Sequence, residues 1–246
     1  PRLPVSPPGE SEFHSGHRPA MIDQVIRKLT AAAVLAASAL ITPAVIPGGA
    51  ATLLPVASAA CPQAELIFAR GRIEPPGAGQ IGNALISQLR SKTGKNIDLY
   101  AVQYPADTEI DEGANDMSQR VQYMAANCPD TRLVLGGYSL GAAATDVVVA
   151  APIAAFGFDH PLPSGVDRHI AAVTLFGNGS QWVGSIANFT NPALRDRIIE
   201  LCHGDDPICN PTAPENWQDA WPAHLASAYI NGGMVNQAAD FVSSRL

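Results

Sequence analysis

Residues 132–150 constrain this chain more than any other stretch. Arg132-Leu133-Val134-Leu135-Gly136-Gly137 is an apolar run of strand length, and Ala142 to Ala150 is a mostly small and apolar stretch of helical length. Between them lies Gly137-Tyr138-Ser139-Leu140-Gly141. A buried strand that feeds a helix through this pentapeptide must turn sharply, and the two glycines remove the Cβ atoms that such a turn would crush. The serine hydroxyl then stands exposed above a sheet, and the N–H of the next residue, Leu140, is aimed at a developing oxyanion. A glycine-rich turn without chemistry uses the same residues, so the serine needs partners elsewhere in the chain.

The remaining pattern supplies a sheet for the turn to stand on. Ala64–Ala69, Ile97–Tyr104 (ended by Pro105), Ile170–Phe176 and Arg197–Leu201 read as strands. Gln80–Leu89, Asp111–Ala126 and Gly232–Leu246 carry apolar residues at helical intervals, and acids open the second of them. Strands alternating with helices predict an α/β fold, a mostly parallel central sheet with helices on both faces. Aromatics make up only 6% of the residues, so Ala, Val, Leu and Ile must fill the core. Charged residues make up 15%, too few for a coiled coil or a charged disordered chain. The net charge is −7 with no Lys/Arg cluster, so no nucleic-acid partner is expected. No internal repeat or linker divides the region from residue 61 to 246, which reads as one domain.

The first sixty residues read as an address rather than a fold. Residues 1–20 are rich in Pro, Ser and His and have no apolar period; they are expected to be a disordered extension upstream of Met21. Arg27 and Lys28 precede the apolar run Leu29–Ile41, and Ala57-Ser58-Ala59-Ala60 resembles an A-x-A cleavage site. The apolar stretch to Ile46 approaches the length of a membrane span, but Pro43 breaks it and small residues end it. Residues 21–60 are therefore expected to be a signal peptide. The expected location is outside the cell, free or associated with the cell wall.

All four cysteines, Cys61, Cys128, Cys202 and Cys209, follow that site. An even count in an exported chain favours two disulfides, for which three pairings exist. Cys202 and Cys209 are near enough to close a short loop, which leaves Cys61 with Cys128. Spacings of 67, 74 and 7 match no zinc pattern, so no metal is expected.

A serine becomes a nucleophile only with a base in reach and an acid to orient that base. Beyond residue 60 the histidines are His160, His169, His203 and His224. His160 lies in a Pro-rich loop and is expected in solvent. His169 precedes a strand and is expected at the surface. His203 sits inside the short Cys202–Cys209 loop. His224 follows an acidic loop and precedes the last helix, where the order nucleophile–acid–histidine places the base. The acid candidates are Asp205, Asp206, Glu215 and Asp219. A stapled loop would hold Asp205 or Asp206 still, but composition does not choose between them.

Cys202-His203-Gly204-Asp205-Asp206-Pro207-Ile208-Cys209 resembles the C-x-x-x-D-x-[VI]-C loop of cutinases. Phe68-Ala69-Arg70-Gly71 is similar to the F-A-R-G strand end of that family, and the Ser139 turn and His224-Leu225 fit its pattern. The likeness spans Cys61 to Leu246 and is nearest to the cutinase-like proteins of mycobacteria. It implies a three-layer α/β-hydrolase without a lid domain, acting on carboxylic esters of lipid-like substrates. It implies Asp206 as the acid, Cys61–Cys128 and Cys202–Cys209 as the bridges, and no cofactor. The expected partner is an acyl ester, bound by a monomer.

Two positions depart from the family. Arg72 stands where a Ser or Thr usually supplies a hydroxyl and an N–H to the oxyanion, and Leu140 stands where Gln usually follows the nucleophile. The backbone N–H groups of Leu140 and Arg72 remain as the expected oxyanion donors, with the hydroxyl lost. Weaker catalysis is the expectation, since one missing donor costs about 10²–10³ in turnover. The competing readings are a catalytically weakened, secreted lipid- or host-binding antigen and a carbohydrate acetyl esterase. Two N-x-S/T sequons, at Asn178 and Asn188, are assigned no role.

Overall fold

The structure, a computed structural model, describes residues 61–212 and 216–246. The expected extension (1–20), the expected signal (21–60) and Glu215 lie outside the described residues.

Five strands form one sheet: β1 (Ala64–Ala69), β2 (Ile97–Ala101), β3 (Arg132–Tyr138), β4 (Ile170–Phe176) and β5 (Ile198–Leu201), in the order β2-β1-β3-β4-β5. Every pairing is parallel. Such a sheet hides both faces, which is why its strands read as continuous apolar runs. In β1 the side chains alternate: Leu66 and Phe68 enter one core, Ile67 and Ala69 the other. All four are fully buried, and each large one contributes about 1.5–3 kcal/mol.

Helices close both faces. On one side lie α1 (Gly79–Thr93), α5 (Ala226–Asn231) and α6 (Met234–Ser243); on the other lie α2 (Ile110–Asn127) and α3 (Leu140–Ala150). A short α4 (Trp217–Ala220) runs into a 3-10 turn, Trp221–His224. Helix α1 buries Ile81, Leu85 and Leu89 along one stripe, and Gly94 ends it in the left-handed conformation with its N–H on the Arg90 carbonyl. Helix α3 buries Gly141, Ala142 and Ala144, so its axis approaches the sheet closely. Among the described residues no helix is long and apolar enough to cross a membrane.

Several element bounds differ from the sequence expectation, most clearly at β2 and α6. The strand begun at Ile97 stops at Ala101, and the final helix begins at Met234 because Gly233 takes a left-handed φ of 79°. His169 is a correction. It is buried rather than at the surface, with Nδ1 3.0 Å from the Pro129 carbonyl oxygen. It closes a 3-10 turn (Val166–His169) that tucks its ring inward before β4 begins.

The chain runs from β1 to β2 in one direction across the sheet and from β3 to β5 in the other. The carboxyl ends of β1 and β3 are therefore a topological switch point, where a crevice opens in parallel α/β sheets.

Candidate active site

The turn after β3 stands at that crevice. Ser139 has φ 54° and ψ −116°, a conformation that non-glycine residues rarely adopt. Its N–H donates to the Phe176 carbonyl at 2.9 Å, which pins the turn to the end of β4. A Cβ on Gly137 would collide with the carbonyl of Gly141, and a Cβ on Gly141 with the carbonyl of Ala69. The two glycines are thus needed for contact within the turn and for contact with β1. Leu140 opens α3, so its N–H belongs to the unpaired first turn of a helix.

Three predicted side chains meet here. Ser139 Oγ lies 2.9 Å from His224 Nε2, and His224 Nδ1 lies 2.7 Å from Asp206 Oδ2. Asp206 is fully buried and His224 nearly so. Burial pushes the Asp206 carboxyl upward, but hydrogen bonds from His224 and Tyr229 outweigh it and hold the group below the usual carboxylate range. The choice between the adjacent aspartates falls to Asp206, whereas Asp205 faces solvent. A turn decides it: Asp206 N–H donates to the His203 carbonyl (3.0 Å), and Ile208 N–H donates to Asp206 Oδ1 (2.8 Å). His160 and Asp219 are exposed, and His203 packs its ring on Tyr229 instead of reaching Ser139.

Both disulfides join the expected partners, Cys61 with Cys128 and Cys202 with Cys209, at Cα separations of 5.6 and 5.7 Å. The second closes the loop that carries Asp206. Among the described residues no group of three or more His, Cys, Asp or Glu is placed to hold a metal.

The loop after β1 forms the facing wall. Buried Arg70 donates to the carbonyls of Tyr104 (2.7 Å), Pro105 (3.0 Å) and Glu74 (2.8 Å). The Glu74 carboxylate accepts from the N–H of Gly71 (2.7 Å) and of Gln80 (2.9 Å), so it shapes the loop that presents Arg72. The Arg72 guanidinium reaches Asp107 at 3.0 Å, and both side chains are exposed. The cleft between the walls has a volume of about 570 Å³ and is lined by Ile73, Leu140, Ile208, Trp221 and Leu225 beside Ser139 and His224. Trp221 packs on the His224 ring with centroids 4.9 Å apart.

Sequence reasoning assigned no role to four residues that hold this arrangement. Arg70 and Glu74 carried a signal, opposite charges four residues apart directly after an apolar strand. Tyr138 and Tyr229 carried none, because their roles depend on distant partners. The Tyr138 hydroxyl donates to the His224 carbonyl, and the Tyr229 hydroxyl donates to Asp206 Oδ2.

Comparison with known proteins identifies the family and the fold. The cutinase family model matches residues 60–246. The chain is 61% identical over 230 residues to the probable carboxylesterase Culp2 of Mycobacterium tuberculosis, covering 92% of this chain and 100% of that protein. It is 47% identical over 236 residues to phospholipase Culp4 of the same organism, covering 95% and 97%. Two solved structures share the fold. One is the catalytic core domain of acetyl xylan esterase from Trichoderma reesei (TM-score 0.61, 22% identity, 76% of this chain and 100% of that one). The other is a cutinase-like protein from Cryptococcus sp. (TM-score 0.58, 20% identity, 76% and 96%). With a parallel sheet, a strained serine turn and a bridged aspartate loop of the expected form, the chain belongs to the cutinase family.

Proposed function

We propose that this carboxylic ester hydrolase cleaves lipid-like acyl esters by two-step acyl transfer, with Ser139, His224 and Asp206 as its triad. The carrying observation is the continuous hydrogen-bonded path Ser139 Oγ–His224 Nε2 and His224 Nδ1–Asp206 Oδ2. Ser139 Oγ attacks the ester carbonyl carbon as His224 Nε2 takes its proton. Asp206 holds Nδ1–H and stabilises the imidazolium. The negative oxygen of the tetrahedral intermediate faces the backbone N–H groups of Leu140 and Arg72. Collapse breaks the bond to the alcohol oxygen, which leaves with the proton from His224. Water then attacks the acyl-serine with His224 as base, which releases the carboxylic acid and restores Ser139.

The apolar cleft wall of Ile73, Leu140, Ile208 and Leu225 supports an acyl chain over a short acetyl group on a sugar. The neighbouring Culp4 is named a phospholipase, which fits the same class of substrate. The enzyme is exported in this reading, supported by the signal-like pattern before Cys61 and by two disulfides, which persist in oxidising compartments.

Hydrolysis of nitrophenyl esters from acetyl to long acyl chains, with Ser139→Ala beside the wild type, tests the reading. Rates should peak above acetyl and vanish in the variant, and a fluorophosphonate should label only the wild type. Full activity of Ser139→Ala would refute the triad. A profile that peaks at acetyl would move the substrate to short acyl esters. Export is checked by the N-terminus of protein recovered outside the cell, expected at or near Cys61; a protein found only inside the cell refutes it.

A further inference from the structure

We propose that Tyr229 is a positioning residue for the triad: its hydroxyl donates a second hydrogen bond to the same carboxylate oxygen, Asp206 Oδ2, that accepts from His224. The proposal rests on the triad reading above.

Tyr229 is fully buried on α5, five residues after His224. Its hydroxyl accepts the His203 N–H at 3.3 Å, contacts Cys209 Sγ at 3.4 Å and donates to Asp206. One hydroxyl thus joins the helix that follows the base to three residues of the bridged acid loop. The ring meets its neighbours edge to face, 5.8 Å from the Tyr138 ring at 62° and 6.2 Å from Phe176 at 81°. A Cβ on Gly177 would lie 3.1 Å from the Tyr229 hydroxyl and 3.0 Å from His224 Cε1, so that glycine leaves room for both groups.

Two consequences follow from charge. Oδ1 is occupied by the Ile208 N–H and Oδ2 by Tyr229, so the carboxylate cannot rotate away from His224. A second donor on Oδ2 also disperses the negative charge that faces the imidazole. The carboxylate then stabilises an imidazolium formed at His224 less than a bare carboxylate would. Other titratable and charged groups around the pair are Glu74 and Arg72 across the cleft, Tyr138 on β3, and His203 and Asp205 in the acid loop. None of them is hydrogen-bonded to Asp206 Oδ2 through its side chain, so removing the Tyr229 hydroxyl changes one contact on that oxygen.

The test is Tyr229→Phe, which keeps the ring and deletes the hydroxyl. The acid limb of the kcat/KM profile should move up by about half a pH unit or more. At the optimum kcat should fall about tenfold with KM changed less than twofold, after correction for the fraction labelled by a fluorophosphonate. In the Asp206→Asn background the same change should cost less than twofold, since its route to the base runs through the carboxylate. An unmoved or lowered acid limb overturns the proposal, as does an equal loss in both backgrounds. If Tyr229→Phe does not fold, 3,5-difluorotyrosine placed at 229 keeps the hydroxyl and strengthens it as a donor. It should lower the acid limb, and an unmoved limb again overturns the proposal. Loss of all activity in Ser139→Ala, with an unmoved limb in Tyr229→Phe, leaves the triad standing and removes only this inference.

Discussion

The two disulfides should separate stability from catalysis in opposite ranks. Cys202–Cys209 closes a loop of 7 residues and Cys61–Cys128 one of 67. In the chain-entropy description, the short bridge is worth about 2 kcal/mol and the long one about 4 kcal/mol at 25 °C. Their positions reverse that order for activity. The long bridge ties the chain just before β1 to the end of α2, away from the cleft. The short bridge closes the loop that places Asp206, and an orienting carboxylate has to sit within about 0.5 Å. Without it, Asp206 is held by the turn to His203, the Ile208 N–H and Tyr229, contacts that the loop itself must keep in place. Cys202→Ala/Cys209→Ala should therefore lose about 2 kcal/mol in urea unfolding but about 10- to 100-fold in kcat per folded molecule. Cys61→Ala/Cys128→Ala should lose about 4 kcal/mol with kcat within about threefold. Folded, competent enzyme is counted by fluorophosphonate titration before rates are compared. If removal of the long bridge lowers kcat per labelled site more than removal of the short one, the acid loop does not depend on its staple.

Burial of Asp146 in α3 pushes its carboxyl up to about 7, against the opposing hydrogen bond from Asn178. The folded state then keeps a proton that the unfolded chain sheds near pH 4, so the contribution of this group to stability is full below pH 4 and falls as pH rises toward 7, by about 4 kcal/mol over the window. Asp146→Asn keeps an acceptor for Asn178 and should flatten that slope in urea unfolding from pH 4 to 8; an unchanged slope refutes the assignment. Arg72→Thr restores a hydroxyl at the position facing the oxyanion and should raise kcat about tenfold on a short nitrophenyl ester; an equal or lower rate counts against a missing donor. Gly141→Ala should cost about 3 kcal/mol in thermal or urea unfolding, because its Cβ meets the backbone of β1 and neither element yields. A melting temperature within a degree or two of wild type would show that the turn is not closely packed on β1.

What the sequence made legible was covalently local. Strands β1, β3 and β4 carry apolar runs bounded by Gly or a turn, and the Ser139 turn lies within ten residues of both its strand and its helix. Asp206 was narrowed to two neighbours because Cys202 and Cys209 frame it. Composition went no further, since adjacent side chains diverge; only the likeness to the cutinase loop pointed to Asp206, and the turn to His203 is what selects it. His169 escaped for a related reason. A polar residue before a strand reads as exposed, and only the packing of the 3-10 turn against the Pro129 carbonyl shows that its ring is enclosed. The tyrosines at 138 and 229 drew no role from the sequence, because the groups they meet are 86 and 23 residues distant in the chain.

Those long separations also explain how the site is held. The nucleophile, the acid and the base come from three segments: the turn after β3, the loop after β5 and the 3-10 turn before α5. Each segment is rigid by its own device, two glycines against backbone, a disulfide, and Pro222 within a tight turn. Rigid pieces still need registration with one another, and the two hydroxyls supply it. Tyr138, adjacent to the nucleophile, fixes the backbone of His224, while Tyr229, on the helix that His224 leads into, fixes the carboxylate of Asp206. The rings meet edge to face at 5.8 Å, so a displacement of either tyrosine displaces the other. Removing both hydroxyls by Tyr138→Phe/Tyr229→Phe should therefore produce a loss in kcat that differs by more than about threefold from the product of the single losses. Simple multiplication would mean that the base and the acid are held independently.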